Sequence, residues 1–144
     1  MGKNKDKSDI VTLTSKASRL MSNQLNKDLS DHQITIEQWT VLASLWKSDG
    51  QTQQQLADVS NKNKASITHL IDHLEKSQLV RRTIDENDKR NRIIFLTPEG
   101  ENLQKTLTKV IKKTTKTFTA GIDKKELKSY KKALRKIVEN ALQA

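Results

Sequence analysis

The sequence contains no cysteine, so disulfide bonds, thiolate metal ligands and cysteine-based redox sensing are excluded. It also lacks any apolar run that approaches the ~18 residues needed to span a membrane. The charged N-terminus, MGKNKDKSDI, has no apolar stretch of the kind found in secretory signals. We therefore expect a soluble, cytoplasmic protein with no membrane partner.

Apolar residues are scarce, at 33% of the 144 residues, while charged residues reach 31%. A chain of this length is most simply one domain, with or without an oligomerisation extension. A chain this polar can fold only if its apolar residues are concentrated into stripes. Partner subunits would help to bury such stripes.

The residue patterns that carry catalysis are also missing. The sequence has no glycine-rich phosphate loop, no nucleophile with a positioned base and no carboxylate pair in a recognisable context. His69 and His73 have the spacing of a two-histidine metal half-site, but His32 is the only other imidazole. We therefore expect no enzymatic activity, no metal and no cofactor.

What the chain does have is positive charge, a net +10 that is unevenly distributed. Residues 61–97 hold eight Lys or Arg against five Asp or Glu, a net of +3, and residues 98–136 hold twelve against four, a net of +8. Such charge steers a protein toward polyanions without showing which surface binds them. The lysine row from Lys105 to Lys136 is most simply a solvated helix face, with auxiliary DNA or acidic-ligand contact as the alternative.

Helical spacing of apolar residues predicts six helices after a short N-terminal arm. Five of them begin at a recognisable cap: Thr35 with Gln38, Thr52 with Gln55, Asn63, Thr97 with Pro98, and Asp123 with Glu126. The predicted helices are residues 10–29, from 36 to the turn at 49–50, 53–59, 64–77, 98–119 and from 123 onward.

The third and fourth helices have the layout of a helix–turn–helix that enters the DNA major groove. Apolar residues bury one side of the fourth helix, and small or polar residues, from Lys64 to His69, face outward at its N-terminal end. Small side chains let the backbone approach base edges, while free N–H groups near Thr52 and Asn63 suit phosphates. The alternative is a plain helical hairpin within a core.

The segment DENDKRNRIIFLTPEG follows directly and predicts a two-stranded ribbon with a cationic tip. By itself such a ribbon could be an ordinary solvated hairpin, but its position after a helix–turn–helix favours an arm lying against a DNA groove. The residues predicted to contact DNA are Thr52, Gln53, Gln54, Asn63, Lys64, Ala65, Ser66, Thr68, His69, Lys89, Arg90 and Arg92.

The segments ITIEQWTVLASL, QQQLADVSNKNKASITHLIDHLEKSQLVRR and DENDKRNRIIFLTPEG resemble the multiple-antibiotic-resistance regulator (MarR) family of winged helix–turn–helix transcription factors. The resemblance implies a mainly α fold with a small β-wing, about six helices and an obligate-type dimer. Residues 1–34 would be an arm and a dimerisation helix, 35–100 the DNA-binding domain and 101–144 the C-terminal dimerisation helices.

The same resemblance assigns roles to single residues. Arg90 would enter the minor groove from the wing tip, and Asp88 would shape the wing. The sequence departs from the family at Asn61, where many members have glycine, and at His69, where many have arginine. The second departure bears on which operator sequence is recognised.

Two apolar sets remain to be assigned. Stripes on the first and last helices are predicted to form the dimer interface: Ile10, Leu13, Ala17, Leu127, Tyr130, Leu134, Ile137 and Ala141. Trp39 and Trp46 lie seven residues apart on one helix, and the simplest interpretation is that both are core residues. Alternatively, together with Met21, they could line a pocket for a small aromatic or anionic effector.

Two functions fit these observations. The first is a sequence-specific transcriptional regulator, a repressor, acting as a homodimer on a pseudo-palindromic operator in double-stranded DNA and released by a small ligand. The second is a winged-helix module for protein interaction or for nonspecific nucleic-acid binding. Sequence-selective binding separates the two.

Overall fold

The computed structural model describes the backbone of residues 2–144 and the side chains of Lys7 and residues 9–144; Met1 lies outside the described residues. Within this part the chain forms six α-helices, a short 3-10 turn and one small sheet. The elements are α1 (Gly2–Leu29), the turn Ser30–His32, α2 (Ile36–Lys47), β1 (Gln51–Thr52), α3 (Gln53–Val59), α4 (Lys64–Lys76), β2 (Val80–Ile84), β3 (Arg92–Leu96), α5 (Pro98–Phe118) and α6 (Lys124–Gln143). The predicted mainly α fold with a β-wing is confirmed.

The N-terminal boundary differs from the prediction. Helix α1 begins at Gly2, eight residues before the expected start at Ile10, so the backbone of the expected arm is helical from Gly2. The first residues are mostly charged or polar and show no helical spacing of apolar residues, so the sequence did not predict a helix there.

The wing also differs, because the sheet has three strands rather than two. Strand β3 lies in the middle, and β2 pairs with it antiparallel from Val80↔Leu96 to Ile84↔Arg92. On its other side, Gln51 and Thr52 pair with Ile94 and Ile93. Two residues are too few to show the alternation of apolar and polar residues that predicts a strand. From the sequence, Thr52 was therefore predicted only as the N-cap of α3.

The predicted N-caps form, although Asp123 accepts from the Glu126 backbone N–H without the reciprocal bond of a capping box. Thr35 with Gln38 and Thr52 with Gln55 are reciprocal capping boxes, in which each side chain bonds the other residue's backbone N–H. The Asn63 side chain accepts a 2.8 Å hydrogen bond from the backbone N–H of Ser66. Because these contacts join residues three positions apart, the local sequence is enough to set where α2, α3 and α4 begin.

The hydrophobic core lies mainly within the helix–turn–helix and its sheet. Its buried residues are Leu29, Ile34, Val41, Leu42, Leu45, Leu56, Ala57, Ile67, Leu70, Ile71, Leu74, Leu79, Val80, Ile94, Leu96 and Leu107. Helices α1 and α5 contribute one residue each, Leu29 and Leu107, and α6 contributes none. Much of the apolar surface of the outer helices is therefore left without cover in the single chain.

The start of α5 is packed tightly against the helix–turn–helix and its sheet. A Cβ atom placed on Gly100 would lie 2.1 Å from the carbonyl oxygen of Leu79, which also accepts a 3.0 Å hydrogen bond from the backbone N–H of Thr97. On the other side, the indole Nε1 of Trp46 donates to the carbonyl of Gly100 at 2.9 Å. Only glycine fits at this crossing.

Candidate nucleic-acid interface

The turn between α3 and α4 depends on a left-handed residue. Asn61 has φ 53°, a conformation that asparagine tolerates better than other side-chain-bearing residues. The Lys62 backbone N–H then bonds the Ala57 carbonyl at 2.9 Å, which closes the turn, and Asn63 caps α4. Asparagine at position 61 therefore preserves the geometry that glycine would supply.

Four residues at the N-terminal end of α4 are solvent-exposed, as predicted: Lys64, Ala65, Ser66 and His69. Opposite them, Ile67 and Leu70 are buried in the core. This face carries one cation, one methyl group, one hydroxyl and one imidazole, which together can meet phosphates and base edges.

Thr68 and Gln53 are arranged differently from the expectation that both would be free to contact DNA. The Gln53 amide Nε2 donates to the Thr68 hydroxyl at 2.7 Å, and that hydroxyl donates to the Lys64 carbonyl at 2.7 Å. Both side chains are partly buried. The pair therefore links α3 to α4, and the Thr68 hydroxyl is engaged within the protein.

Thr52 is also engaged. Its hydroxyl accepts from the Gln55 backbone N–H at 3.1 Å, and its own backbone N–H donates to the Gln55 side chain at 2.8 Å. The predicted phosphate contact by the Thr52 N–H is therefore not available, because the capping box occupies that donor. Gln54 remains exposed, with its amide donating to Asp58 at 3.0 Å.

The wing tip is built around Asp88. Its carboxylate accepts the Arg90 backbone N–H at 3.1 Å and two guanidinium bonds from Arg90, at 3.0 and 3.2 Å. Hydrogen bonds from the Arg90 side chain and backbone lower the pKa of Asp88 below its usual range. The side chain of Arg90 nevertheless stays 90% exposed, so a cation projects from the wing at a fixed position.

Arg92 and Lys89 occupy the same tip. The Arg92 guanidinium donates to the Lys89 carbonyl at 3.1 Å, and both side chains are exposed. Arg92 thus stabilises the turn while keeping its charge at the surface.

The fold brings the two predicted DNA-contact segments together. A cleft of about 150 Å³ lies between the helix–turn–helix and the wing, lined by Gln53, Gln54, Lys64, Ile67, Arg90, Asn91 and Arg92. Three of these residues carry a positive charge. Asn91 was not among the predicted residues, although its place between Arg90 and Arg92 could have indicated it.

The role of Arg82 was not predicted from the sequence. Its guanidinium pairs with Asp72 and, at 3.4 Å, with Glu75 on α4, and it donates to the Thr68 carbonyl at 3.0 Å. The Glu75 carboxylate also accepts the Arg82 backbone N–H at 3.1 Å. Arg82 therefore fixes β2 against α4 rather than offering charge to a ligand.

The residues predicted for dimerisation lie mostly on uncovered surface. Ile10, Leu13, Tyr130 and Ile137 are between 46% and 64% exposed. Ala17, Leu127 and Leu134 are half-buried, and Ala141 is exposed. Further exposed apolar residues that the prediction did not include are Val11, Leu20, Val138 and Leu142.

The three residues predicted for an effector pocket are not brought together. Met21 lines an apolar groove of about 520 Å³ between α1, the end of α5 and α6, together with Ala17, Phe118, Leu127 and Tyr130. Trp39 and Trp46 are absent from that groove and pack half-buried against the core. Their spacing therefore reflects core packing, which was the simpler of the two interpretations.

Within residues 2–144, no helix combines the length and the apolar character required to cross a bilayer. In the same part of the chain, no three His, Asp or Glu side chains converge as a metal-ligand set. The cationic cleft and the exposed end of α4 are therefore the features that point most directly to a partner.

Comparison with known proteins agrees with this geometry. Residues 34–91 match the MarR family. The HTH-type transcriptional regulator TtmR of Methylorubrum extorquens (strain PA1) is 34% identical over 76 residues, which cover 53% of this chain and 39% of TtmR. The chain thus spans less than half the length of this relative.

Solved structures agree over a longer stretch. A MarR transcriptional regulator from Methanosarcina mazei Go1 superposes with a TM-score of 0.87 at 24% identity, covering 94% of this chain and 98% of the other. The S. aureus MepR–DNA complex superposes with a TM-score of 0.81 at 26% identity, covering 90% and 96%. The family match thus extends from α2 to the wing tip, and the fold agrees with MarR-family structures along nearly the whole chain, so the protein has the winged helix–turn–helix fold of these transcriptional regulators.

Proposed function

We propose that the protein binds double-stranded DNA sequence-selectively as a homodimer and represses transcription from a pseudo-palindromic operator. The observation that carries the proposal is the cationic cleft that joins the exposed end of α4 to the wing. Lys64, Arg90 and Arg92 line it from two separate segments of the chain. The likeness to a DNA-bound MepR supports the same assignment.

Each part of the interface has a distinct task in this proposal. The exposed Ala65, Ser66 and His69 contact base edges in the major groove, where each base pair presents its own pattern of donors and acceptors. Arg90 enters the adjacent minor groove, where a narrow width strengthens the attraction for a guanidinium. Lys64 and the backbone N–H groups at the start of α4 contact phosphates.

The homodimer is proposed from the uncovered apolar surface of α1 and α6. Helix α6 has no buried residue in the single chain, although Ile137, Val138 and Leu142 are large and apolar. A second copy docking on these helices and on the groove beside Met21 would remove this surface from water. Two recognition helices then face successive major grooves, about 34–36 Å apart.

Regulation by a small aromatic or anionic ligand is also proposed. The absence of cysteine excludes a thiol switch. Trp46 donates to Gly100 at the junction between the DNA-binding half and α5, so a ligand that displaced this indole would act on the spacing of the two halves. It could lower operator affinity only by its differential affinity for the two arrangements.

Selection of bound sequences from random duplex DNA tests the function directly. A regulator of this kind should enrich an inverted repeat and should lose affinity steeply as salt rises. Enrichment of no sequence, with equal affinity for all duplexes, would favour the alternative of a nonspecific nucleic-acid binder. No DNA binding at low salt would favour a protein-interaction module.

A further inference from the structure

Helix α4 carries two imidazoles whose geometry the DNA interface does not explain. His69 and His73 are both exposed, and their Nε2 atoms lie 3.3 Å apart. Their ring centroids are 4.7 Å apart with the planes at 87°. Residues four positions apart on a helix share a face, so both rings project from the same side of α4.

The distance between the two nitrogens is the one that a tetrahedral metal ion requires. With Zn–N bonds of about 2.0–2.1 Å and tetrahedral angles, two imidazole nitrogens on one zinc ion lie about 3.3–3.4 Å apart. We propose that His69 and His73 form a two-histidine site for a divalent ion of the zinc type on the DNA-reading helix. Water would complete the coordination.

The neighbouring side chains set the limits of this site. Asp72 is adjacent in sequence, but its carboxylate is paired with Arg82. The ion therefore has two protein ligands, fewer than the three or four of established zinc sites, so its affinity is correspondingly modest.

Binding also requires a particular tautomer of both rings. At 3.3 Å, one Nε2–H can donate to the Nε2 of the other ring. In that arrangement the donor ring has no Nε2 lone pair, and the lone pair of the acceptor ring is occupied by the hydrogen bond. Metal binding requires both protons on Nδ1, so that both Nε2 lone pairs face the ion. For neutral rings this is a shift of tautomer and releases no net proton.

The consequence for DNA binding rests on the proposed function. His69 is one of the side chains proposed to contact base edges, and an imidazole whose Nε2 ligates a metal cannot use that lone pair for a base. Zinc and operator should therefore compete, and each should lower the affinity of the other by the same factor.

The site itself is tested without DNA. Protein lacking a polyhistidine tag is titrated with Zn²⁺ in competition with a chromophoric chelator, and with Co²⁺ by visible absorption. One ion per chain is expected, with a shift of the Co²⁺ bands as two imidazoles replace water, and His69→Gln and His73→Gln should each lower the affinity at least tenfold. His32→Gln is the matched control and should bind as the wild type does. Equal affinity in all four proteins would overturn the site.

The competition is tested with the selected operator. His73→Gln removes one metal ligand and keeps His69, so it separates metal binding from base contact. Saturating Zn²⁺ should weaken operator binding at least fivefold in the wild type and leave His73→Gln unchanged. Zinc binding with unaltered operator affinity would overturn the competition. Failure of the zinc-free protein to bind any DNA would contradict the proposed function, while the titrations without DNA would still decide the metal site.

Discussion

Gln53 on α3 donates a 2.7 Å hydrogen bond to the hydroxyl of Thr68 on α4. Both residues were predicted to contact DNA, and instead their side chains bond each other where the two helices meet. The same hydroxyl also donates to the Lys64 carbonyl within α4. The crossing of the helix–turn–helix is therefore held in part by polar side chains at the edge of the proposed reading surface.

Thr68→Val removes this hydroxyl and keeps the shape of the side chain. We expect the free energy of unfolding to fall by about 1 kcal/mol, the usual net value of such a hydrogen bond, with the preferred DNA sequence unchanged. Ser66→Ala, on the exposed face of the same helix, should alter the preferred DNA sequence and leave the free energy of unfolding unchanged. Urea denaturation and sequence selection measure the two effects. A new base preference in Thr68→Val would assign its side chain to DNA reading instead.

Arg90→Ala should weaken operator binding more than Lys89→Ala does. Both residues are exposed at the wing tip, but only the Arg90 guanidinium is oriented by Asp88. A loss on the order of 1–3 kcal/mol is expected for Arg90→Ala, in the range of a good DNA contact, against less than about 1 kcal/mol for Lys89→Ala. Titrations at one fixed salt concentration compare them. Equal losses would show that the wing contributes charge alone.

Arg82→Lys should destabilise the protein although it keeps the charge. A lysine cannot reach Asp72, Glu75 and the Thr68 carbonyl together, as the guanidinium does. We expect a loss of about 1–2 kcal/mol in unfolding free energy and faster hydrogen exchange in α4. Arg81→Lys is the matched control on the same strand, because Arg81 is exposed and lies 4.7 Å over the Phe95 ring, a contact that lysine can also make. Equal effects of the two substitutions would contradict a specific role for Arg82.

Acid should loosen the contact between α1 and α5. A hydrogen bond from the buried Thr114 hydroxyl, with a smaller contribution from Gln24, lowers the pKa of Asp28 below its usual range. A carboxyl whose pKa is lower in the folded state stabilises the fold above its unfolded pKa, and this stabilisation is lost as pH falls through the folded value. Unfolding free energy should therefore drop below about pH 4.

Two variants assign that drop to Asp28. Asp28→Asn and Thr114→Val should each flatten the decline in stability below about pH 4, because either change removes the contact that favours the charged form. Chemical denaturation at a series of pH values measures the slope. A slope identical to that of the wild type in both variants would place the acid sensitivity elsewhere.

Ile137→Asp should convert a dimer into monomers that retain helical structure. Ile137 is 46% exposed in the single chain, so a charge there is tolerated by the monomer and is costly only when a second copy covers it. Lys132→Asp places the same side chain on the exposed polar part of α6 and should leave the assembly intact. Sedimentation at micromolar concentration separates the two outcomes. A wild-type monomer under these conditions would contradict the proposed interface.

Local signals allowed most of the fold to be predicted. The capping boxes at Thr35 and Thr52 and the N-cap at Asn63 act over three residues, so the starts of α2, α3 and α4 could be placed from the sequence. Apolar periodicity located the buried side of α4 in the same way. These features depend on neighbours along the chain, and a sequence displays them directly.

Contacts between distant residues could not be predicted in this way. Strand β1 exists because Gln51 meets Ile94, 43 positions later, and two residues carry no period of their own. The ion pairs of Arg82 with α4 likewise form only when β2 folds back on that helix. The kinds of residue at the edge of the interface could therefore be predicted from the sequence. The hydrogen bonds and ion pairs that these side chains make within the protein could be seen only in the structure.

The tight packing around Gly100 makes the first turn of α5 a fixed point, from which the rest of the helix extends with α1 bonded to it through Thr114 and Asp28. The helix has 21 residues, about 31 Å, and its first turn is fixed between Leu79 and Trp46. If α5 tilted by about 10° about its fixed first turn, Phe118 at its far end would move by about 5 Å. An adjustment of about 1 Å beside Trp46 would thereby become a displacement comparable to one helical turn at the far end of α5.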